Sequence, residues 1–539
     1  MQFRLTGIVA FTLLLASAVM AGAQSKAEIN FGSPKQTIRG FGASDAWLPR
    51  FSKAEADTLF GTGSGKLGLS ILRVRIDSSS ATGGDNWATE RTNAQMAQAR
   101  GAIIIATPWS PPAAWKTNAS TIGGSLKRTA YEDYAGYLNL FTAYMASGGV
   151  PLYAISMQNE PGTKATYESC LWTGAEMDAW VAGNAGVLKT KLMMPESENF
   201  DTAFSDPALD DANAVGKISI VAGHLYKASP FNYAKARDKG KEVWQTEHYL
   251  TPTGAQPEIA DAVAVAAEIH RSMTEAQYNA YLWWSVADRY HNGKITNYGL
   301  IDTSNTPTYY GLALGQFARF VRPGYLRVAA TESPADGVGI SAYAGSGEGV
   351  IVAINSNTSA IPITFSVSGA AFGSFTPHET SAAARMVDRS AVAVSMGRFA
   401  YTLPAQSITT FTGSTVASKT TAPDAGSSVG NCAVEYKIVP QNSDSFGAKI
   451  TIKNGGTTKL SNWKLTWSFA NGQNITSSWN GAVSQIDADV TVSEQPEQAW
   501  QDIPAGGSYS GFGFNGGWDG VTNAVPTGFW LNGTACTVN

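Results

Sequence analysis

Short apolar runs recur between residues 38 and 317, and stretches with helical periodicity separate most of them. Eight runs have the length of strands: 38–44, 69–77, 102–110, 152–160, 191–199, 218–226, 242–249 and 278–286. Eight alternating units of strand and helix favour a (β/α)8 TIM barrel of the α/β class over an open doubly wound sheet. The sequence therefore predicts a barrel over about 38–317.

The regions outside the barrel have strand patterns without helical periodicity. Residues 24–37 and 318–413 contain short alternating runs, which predict a β-sandwich attached to the barrel. Residues 414–431 contain no aromatic residue and predict a flexible linker. Residues 432–539 hold six of the 15 tryptophans in short alternating runs separated by Gly and Asn, which predict a separate C-terminal all-β sandwich.

The first 23 residues have the pattern of a secretory signal peptide. Arg4 precedes an apolar run over 8–20, and small residues follow at 21–23. The run is too short to span a membrane comfortably, and no later segment reaches about 18 uninterrupted apolar residues. We therefore expect a secreted, extracellular protein without a membrane partner. Of the three cysteines, Cys432 and Cys536 bracket the last region and suggest one disulfide, which leaves Cys170 as a free thiol.

Composition narrows the class of partner. Charged residues make up 15% of the chain, below the usual fraction of about 25%, and 38 basic and 42 acidic residues give a formal charge of −4. No basic excess is available for phosphates, so we expect no nucleic acid partner. A neutral polymer fits this composition better as a partner. We expect the protein itself to be a monomer. His224 and His248 end neighbouring predicted strands but lack a third ligand, so we expect hydrogen-bonding roles, no metal and no cofactor.

The ends of the predicted barrel strands carry polar and aromatic residues, and all eight ends open onto one face of a barrel. In the second run, alternation directs Leu72, Val74 and Ile76 toward the helices and Arg73 and Arg75 toward the barrel axis. Buried arginines need anionic partners, which carboxylates on neighbouring strands would supply.

Two of these strand ends carry a glutamate. Glu160 ends the fourth run and Glu247 the seventh, so the two can face each other across a sugar ring. Cleavage of a glycosidic bond needs one carboxylic acid and one carboxylate, and a separation of about 5–5.5 Å would give retention of configuration. We expect Glu160 to be the acid/base and Glu247 the nucleophile, with Arg73 and Tyr226 keeping Glu247 ionised.

The motifs GFGAS, SILRVRID, ATPWSPP, YAISMQNEP, PES, HLY, TEHY, NAYLWW and RFVRPGYLR occur in this order between residues 30 and 413. Together they resemble glycoside hydrolase family 30, nearest to its bacterial xylanases of subfamily 8. The resemblance implies the same roles for Glu160 and Glu247, a hydrogen bond from Asn159 to the sugar 2-hydroxyl, and a catalytic region over 24–413. It also implies substrate contacts or positions around the nucleophile for Trp47, Trp109, His224, Tyr226, Tyr249 and Trp284.

One segment departs from the family pattern. Members specific for glucuronoxylan carry two adjacent arginines and then a Tyr after the strand-eight tryptophans, whereas this chain has Ala287 and Asp288 at the arginine positions and keeps only Tyr290. Asp288 facing a branch that carries a carboxylate would repel it, although a bulge could turn Arg289 inward. We therefore expect weak or no dependence on glucuronic acid branches.

Residues 432–539 resemble a family 2 carbohydrate-binding module. The resemblance implies a disulfide between Cys432 and Cys536 and a polysaccharide-binding strip that includes Trp479 and Trp500. The third position of the strip falls at Asn442, which has no stacking surface, so two alternatives are open: affinity is reduced, or Trp518 compensates. We expect the remaining tryptophans of this region to lie in the sandwich core; they are Trp463, Trp467 and Trp530.

These observations favour a secreted retaining endo-β-1,4-xylanase that acts on plant cell-wall xylan and holds cellulose or another insoluble polysaccharide with its module. Three alternatives stay open: a glucuronoxylanase that depends on glucuronic acid, a β-glucosidase or β-1,6-glucanase of the same family, and a non-catalytic polysaccharide-binding protein.

Overall fold

The computed structural model describes residues 25–291, 294–345, 347–416, 432–486, 488–495, 498–518, 520, 522–526, 528–532 and 534–539. The described residues form two compact units, one within residues 1–418 and the other within residues 419–539. The predicted signal peptide (1–23) and residues 417–431 of the predicted linker lie outside the described residues.

The first unit contains a closed barrel of eight parallel strands, as predicted. Each predicted apolar run supplies one strand, and the first strand pairs with the eighth to close the barrel. The barrel strands are Gly40–Ser44, Ile71–Ile76, Ile103–Pro108, Ala154–Ser156, Lys191–Ser197, Ile218–His224, Glu242–Glu247 and Ala280–Ser285. Helices follow the strands: Lys53–Phe60, Trp87–Gln98, Tyr131–Ser147, Gly174–Asn184, Asp206–Asp210, Ala234–Asp238, Ile259–Thr274 and Tyr309–Ala318.

The second barrel strand confirms the predicted alternation. Leu72, Val74 and Ile76 are buried in the same apolar cluster as residues of the surrounding helices. Arg73 points to the opposite side, where it contacts side chains from three other strands or strand ends. The polar ends of the strands therefore converge on one face of the barrel.

A ten-stranded sheet flanks the barrel and has its own apolar core, which confirms the predicted side domain. The N-terminal strand Ser25–Thr37 lies inside this sheet, antiparallel to Leu326–Ala330 and parallel to Ile361–Ser368. The remaining strands are Val338–Gly345, Glu348–Asn355, Ser374–Ser381, Ala384–Asp388, Val392–Ala393, Arg398–Leu403 and Ser407–Ser414. Residues from both ends of this unit's chain therefore build one sheet.

The second unit is all-β, as predicted, with a core of alternating apolar residues. A disulfide joins Cys432 near its start to Cys536 near its end, which confirms the expected pairing. Its strands are Cys432–Gln441, Ser445–Asn454, Lys464–Ser468, Asn474–Trp479, Ala482–Ile486, Asp489–Ser493, Ser508–Tyr509, Gly513–Gly517, Phe529–Leu531 and Thr534–Val538.

Cys170 is a free, buried thiol in the first unit. Burial raises the pKa of its thiol to about 12, so this group is protonated at neutral pH. Within the described residues, none of the helices combines the length and apolar character needed to cross a membrane.

Candidate active site

Glu160 and Glu247 lie together at the carboxyl ends of the barrel strands. Glu160 follows the short fourth strand and Glu247 is the last residue of the seventh. Each side chain is nearly buried, with 5% of the residue exposed. One oxygen of each carboxyl group and one ring nitrogen of His224 all lie within 4.8 Å of one another. The two carboxylates can therefore reach the same bond of a bound molecule.

Arg73 connects the nucleophile candidate to the other strand ends. Its Nη1 donates to Oε2 of Glu247 at 2.6 Å and its Nη2 donates to Oδ1 of Asn159 at 2.6 Å. Its Nε donates to Oε1 of Glu196 at 3.1 Å, and Thr107 donates to the other oxygen of Glu196 at 2.9 Å. Arg73 and Glu196 are completely buried, so the network that holds Glu247 and Asn159 is anchored where water has no access.

His224 lies between the carboxylates. Its Nδ1 is 3.0 Å from Oε1 of Glu160 and 3.9 Å from Oε1 of Glu247, and its Nε2 is 4.0 Å from Glu196. Burial alone would lower the pKa of this imidazole, but the surrounding carboxylates raise it to about 9. At neutral pH the ring therefore carries a positive charge between the acidic groups.

The surroundings shift the pKa values of Glu196 and Glu247 in opposite directions. Burial would raise the pKa of Glu196, but the charge of Arg73, together with the nearby His224, lowers it to about 2. The pKa of Glu247 is raised, because burial outweighs the charges of His224 and Arg73 and the hydroxyl of Tyr226, which favour the carboxylate. The Tyr226 hydroxyl donates to Oε1 of Glu247 at 2.7 Å. Arg73 and Tyr226 thus contact Glu247 as expected.

Two of these glutamates have a left-handed backbone. The φ angles of Glu160 and Glu196 are +46° and +52°, a region that non-glycine residues rarely adopt. The backbone N–H of Glu160 donates to the carbonyl oxygen of Glu196 at 3.0 Å, which couples the ends of the fourth and fifth strands. The surrounding barrel holds this unfavourable conformation and directs both side chains to the centre.

An open cleft of about 770 Å³ lies above the two carboxylates. Trp47, Trp109 and Trp284 form one wall, with ring centroids 4.9–6.1 Å apart. Trp47 is 43% exposed, whereas Trp109 is buried and also lies under the guanidinium of Arg73 at 4.7 Å. These rings provide flat apolar surfaces next to the carboxylates, suited to the apolar face of a sugar ring.

The adjacent tryptophans of the eighth strand point in opposite directions. Trp283 is completely buried, whereas Trp284 is partly exposed and lines the cleft, as expected. Tyr226 and Tyr249 also line the cleft, with ring centroids 5.6 Å apart. The strand Tyr290–His291 contains the expected Tyr290, but the side chain of Tyr290 lies outside what the structure describes.

Tyr167 and Glu196 belong to the site although the sequence assigned neither of them a role. Tyr167 lines the cleft, and its hydroxyl lies 3.4 Å from Oε2 of Glu160. Glu196, the glutamate of the motif PES, is the buried partner of Arg73. The inward direction of Arg73 was the signal for such a partner, since a buried guanidinium requires an anion. Tyr167 lies in a long loop, where no periodic pattern could indicate its position.

The interpretation of Asp288 was wrong. Its side chain is buried and accepts hydrogen bonds from the backbone of Gly299 at 2.7 Å and from Thr296 at 3.1 Å, so it stabilises the loop and does not face the cleft. Arg289 lines the cleft instead. Its Nη2 lies 3.0 Å from Oε1 of Glu55, which is also part of a helix capping box. Among the described cleft-lining residues, Arg289 is the only basic one, and it is already paired.

A metal ion would also fit the spacing of three side chains in the site, those of Glu160, His224 and Glu247. His248 points elsewhere, with Nδ1 2.7 Å from Glu268. The two histidines thus make hydrogen bonds to different carboxylates.

In the second unit, Trp479 and Trp500 are 40% and 57% exposed. Trp518 is partly buried and donates from Nε1 to the carbonyl oxygen of Asn442 at 3.0 Å, so it lies beside the residue at which the strip lacks a stacking surface. Trp463 and Trp467 are in the core as expected, but Trp530 is not: it is 43% exposed. Its neighbours Phe529 and Leu531 point into the core, so alternation directs Trp530 outward.

Comparisons with known proteins agree with this architecture. The family model described as Cellulose binding domain matches residues 432–536. Glucuronoxylanase XynC of Bacillus subtilis (strain 168) is 35% identical over 423 residues, which cover 75% of this chain and 96% of the relative. Exoglucanase A of Cellulomonas fimi is 40% identical over 109 residues, which cover 20% of this chain and 12% of the relative.

Among solved structures, the glycoside hydrolase family 30 subfamily 8 xylanase Xyn30A from Clostridium acetobutylicum matches with a TM-score of 0.66 and 40% identity, covering 72% of this chain and 99% of its own. Two facing carboxylates at the strand ends of such a barrel are the machinery of a glycosidase. The chain belongs to glycoside hydrolase family 30 and carries a C-terminal module of the cellulose binding domain family.

Proposed function

We propose that the chain is a secreted retaining endo-β-1,4-xylanase that acts on plant cell-wall xylan. Glu160 protonates the oxygen of the scissile bond while Glu247 attacks the anomeric carbon and forms a glycosyl ester. Glu160 then accepts a proton from a water molecule, whose oxygen cleaves the ester and releases Glu247. Two displacements at the same carbon retain its configuration.

The close approach of the two carboxyl groups carries this proposal. Retaining enzymes hold them about 5–5.5 Å apart, whereas inverting enzymes leave about 6.5–9.5 Å to accommodate a water molecule. One oxygen of Glu160 and one of Glu247 lie no more than 4.8 Å apart, and this short gap between the nearer oxygens supports a direct attack by Glu247. Arg73 and Tyr226 orient the attacking carboxylate, and Asn159 is positioned by Arg73 to bind a sugar hydroxyl.

The surroundings of Arg289 support weak or no dependence on glucuronic acid branches. The other charged residues that line the described part of the cleft are Glu160, Glu198 and Glu247. The negative charge of these residues disfavours binding of a branch that carries a carboxylate. The guanidinium of Arg289 is neutralised by Glu55 at 3.0 Å. A branch carboxylate would have to compete with Glu55 for this cation.

The second unit would keep the enzyme on an insoluble polysaccharide such as xylan or cellulose. Exposed indoles stack on the apolar faces of sugar rings, and Trp479, Trp500 and Trp518 are available for that contact. The disulfide and the signal-like sequence of residues 1–23 support action outside the cell.

Proton NMR of the first products released from linear xylo-oligosaccharides tests the proposal. We expect β-xylosides to give β-anomers first, and we expect Glu160→Gln and Glu247→Gln to lose at least about 1,000-fold in kcat. Glu275→Gln, which removes an exposed carboxylate paired with Arg271, is the control for a Glu-to-Gln change. Initial α-anomers, or full activity in both variants, would contradict the mechanism. Hydrolysis of β-1,6-glucan in place of xylan would favour the alternative that the chain is a β-1,6-glucanase of the same family.

A further inference from the structure

Two carboxyl groups are buried together beneath one wall of the cleft. Asp45 follows the first barrel strand and Glu90 belongs to the helix Trp87–Gln98. Both residues are completely inaccessible to solvent. They lie against the same edge of the second barrel strand, because the backbone N–H of Asp45 donates to the carbonyl oxygen of Arg73 at 3.2 Å and Oε2 of Glu90 accepts from the backbone N–H of Arg75 at 3.3 Å. Two adjacent charged carboxylates are unfavourable in a buried site, whereas a carboxylic acid can donate to a carboxylate.

The surrounding donors do not satisfy this pair. Nδ2 of Asn93 donates to Oδ2 of Asp45 at 2.9 Å, but Oδ1 of Asp45 receives no hydrogen bond from the described residues. Among the described residues, Glu90 accepts only two long hydrogen bonds of 3.3 Å, from the backbone of Arg75 and from Asn86. A proton shared between the carboxyl groups would supply a missing donor.

Nearby cations are engaged elsewhere. The guanidinium of Arg75 contacts Glu168 at 2.7 Å and Asp77 at 3.4 Å, and Arg73 contacts Glu196 and Glu247. On the adjoining helix Lys53–Phe60, the two carboxylates are also paired, Glu55 with Arg289 and Asp57 with Arg100. Burial accordingly raises the pKa of Asp45 to about 7 and that of Glu90 well above its ordinary value, with the Asp45 charge adding to the rise for Glu90.

The acid pair anchors the loop of residues 45–51, called here the Trp47 loop. The carbonyl oxygen of Asp45 accepts from the backbone of Leu48 at 2.8 Å, and Asn93, which binds Asp45, also accepts from the backbone of Phe51 at 2.8 Å. Trp47 lies between these anchors with a φ of +59°. Its ring lines the cleft 4.9 Å from that of Trp109.

We infer that Asp45 and Glu90 share one proton and together act as positioning residues that hold Trp47 in the sugar-binding wall of the cleft. When this proton is lost at alkaline pH, two buried negative charges repel each other and release the Trp47 loop. Substrate binding then weakens while the chemistry at Glu160 and Glu247 persists, so KM rises more than kcat falls. The effect on substrate rests on the proposed function; the shared proton does not.

Infrared difference spectroscopy tests the proton without any substrate. Near pH 6 most carboxyl groups are ionised, so we expect the spectrum of the parent protein minus that of Glu90→Gln to contain the carbonyl stretch of a protonated carboxylic acid. Asp45→Asn should also remove this band, which guards against a folding defect in one variant. Absence of the band in both differences would overturn the shared proton.

The pH dependence of KM tests the positioning role. Glu90→Gln keeps a neutral donor to Asp45, so we expect its KM for xylan to stay flat at alkaline pH, where the KM of the parent rises about 2- to 10-fold, the range of one lost aromatic contact. Trp47→Ala should have the raised KM at every pH. An equal rise in the parent and Glu90→Gln would overturn the role. The infrared band without hydrolysis of any β-glycan would refute the proposed function and leave the shared proton supported.

Discussion

The guanidinium of Arg73 donates to Glu247 over 2.6 Å while both residues are shielded from solvent. The same guanidinium is held from the other side by Glu196 at 3.1 Å. Since Glu196 touches no cleft surface in the described residues, its contribution to activity would act through the position of Arg73.

Glu196→Gln should therefore reduce both stability and turnover. Removing one partner of a buried ion pair costs about 3–5 kcal/mol, and a displacement of catalytic groups by about 1 Å can cost about 100-fold in rate. Denaturant unfolding and kcat on xylan measure the two effects. Glu275→Gln breaks an exposed pair and should cost less than about 1 kcal/mol. Unchanged kcat in Glu196→Gln would show that Arg73 needs no second carboxylate.

His224 should make the free energy of unfolding depend on pH. Its pKa rises from 6.5 to about 9 on folding, so its stabilising contribution is complete below pH 6.5 and is lost as the pH rises through about 9. This rise in pKa corresponds to a contribution of roughly 3 kcal/mol to the free energy of unfolding. Denaturant unfolding at pH 6 and pH 9.5, compared between the parent and His224→Gln, measures it. Similar losses in both proteins would contradict a charged His224.

The barrel could be predicted because its signals are local. Each strand is an apolar run with a polar end, and alternation in the second strand fixed the direction of Arg73. The direction of Asp288 depends on the backbone of Gly299, eleven residues away, and on a turn that no local pattern indicates. Trp530 is different: its apolar neighbours at 529 and 531 already indicated that its side chain faces outward.

The pairing of Arg289 with Glu55 predicts a change in branch selectivity. Glu55→Gln removes the competing charge yet keeps a residue that can accept from Ser52 in the capping box. The freed Arg289 should raise the ratio of kcat/KM on glucuronoxylan to that on linear xylan about fivefold, since a partly exposed charge pair contributes roughly 1 kcal/mol. Asp57→Asn, on the same helix but paired with Arg100, is the matched control. A constant ratio would show that Arg289 does not reach the branch.

The indoles of the second unit should act on binding and not on chemistry. Depletion isotherms on insoluble xylan and cellulose, measured with the full chain made inactive by Glu247→Gln, should show affinity reduced about 5- to 10-fold by Trp500→Ala or Trp479→Ala, the effect of one lost stacking contact. Trp530→Ala is the control, because Trp530 has a similar exposure but lies on a strand paired with Lys464–Ser468, whereas the strand of Trp479 pairs with Gly513–Gly517. In the otherwise unaltered enzyme, kcat on soluble linear xylo-oligosaccharides should not change in any of the three variants. Equal losses of affinity in all three would show that any exposed indole contributes and that Trp479 and Trp500 do not form a distinct binding strip.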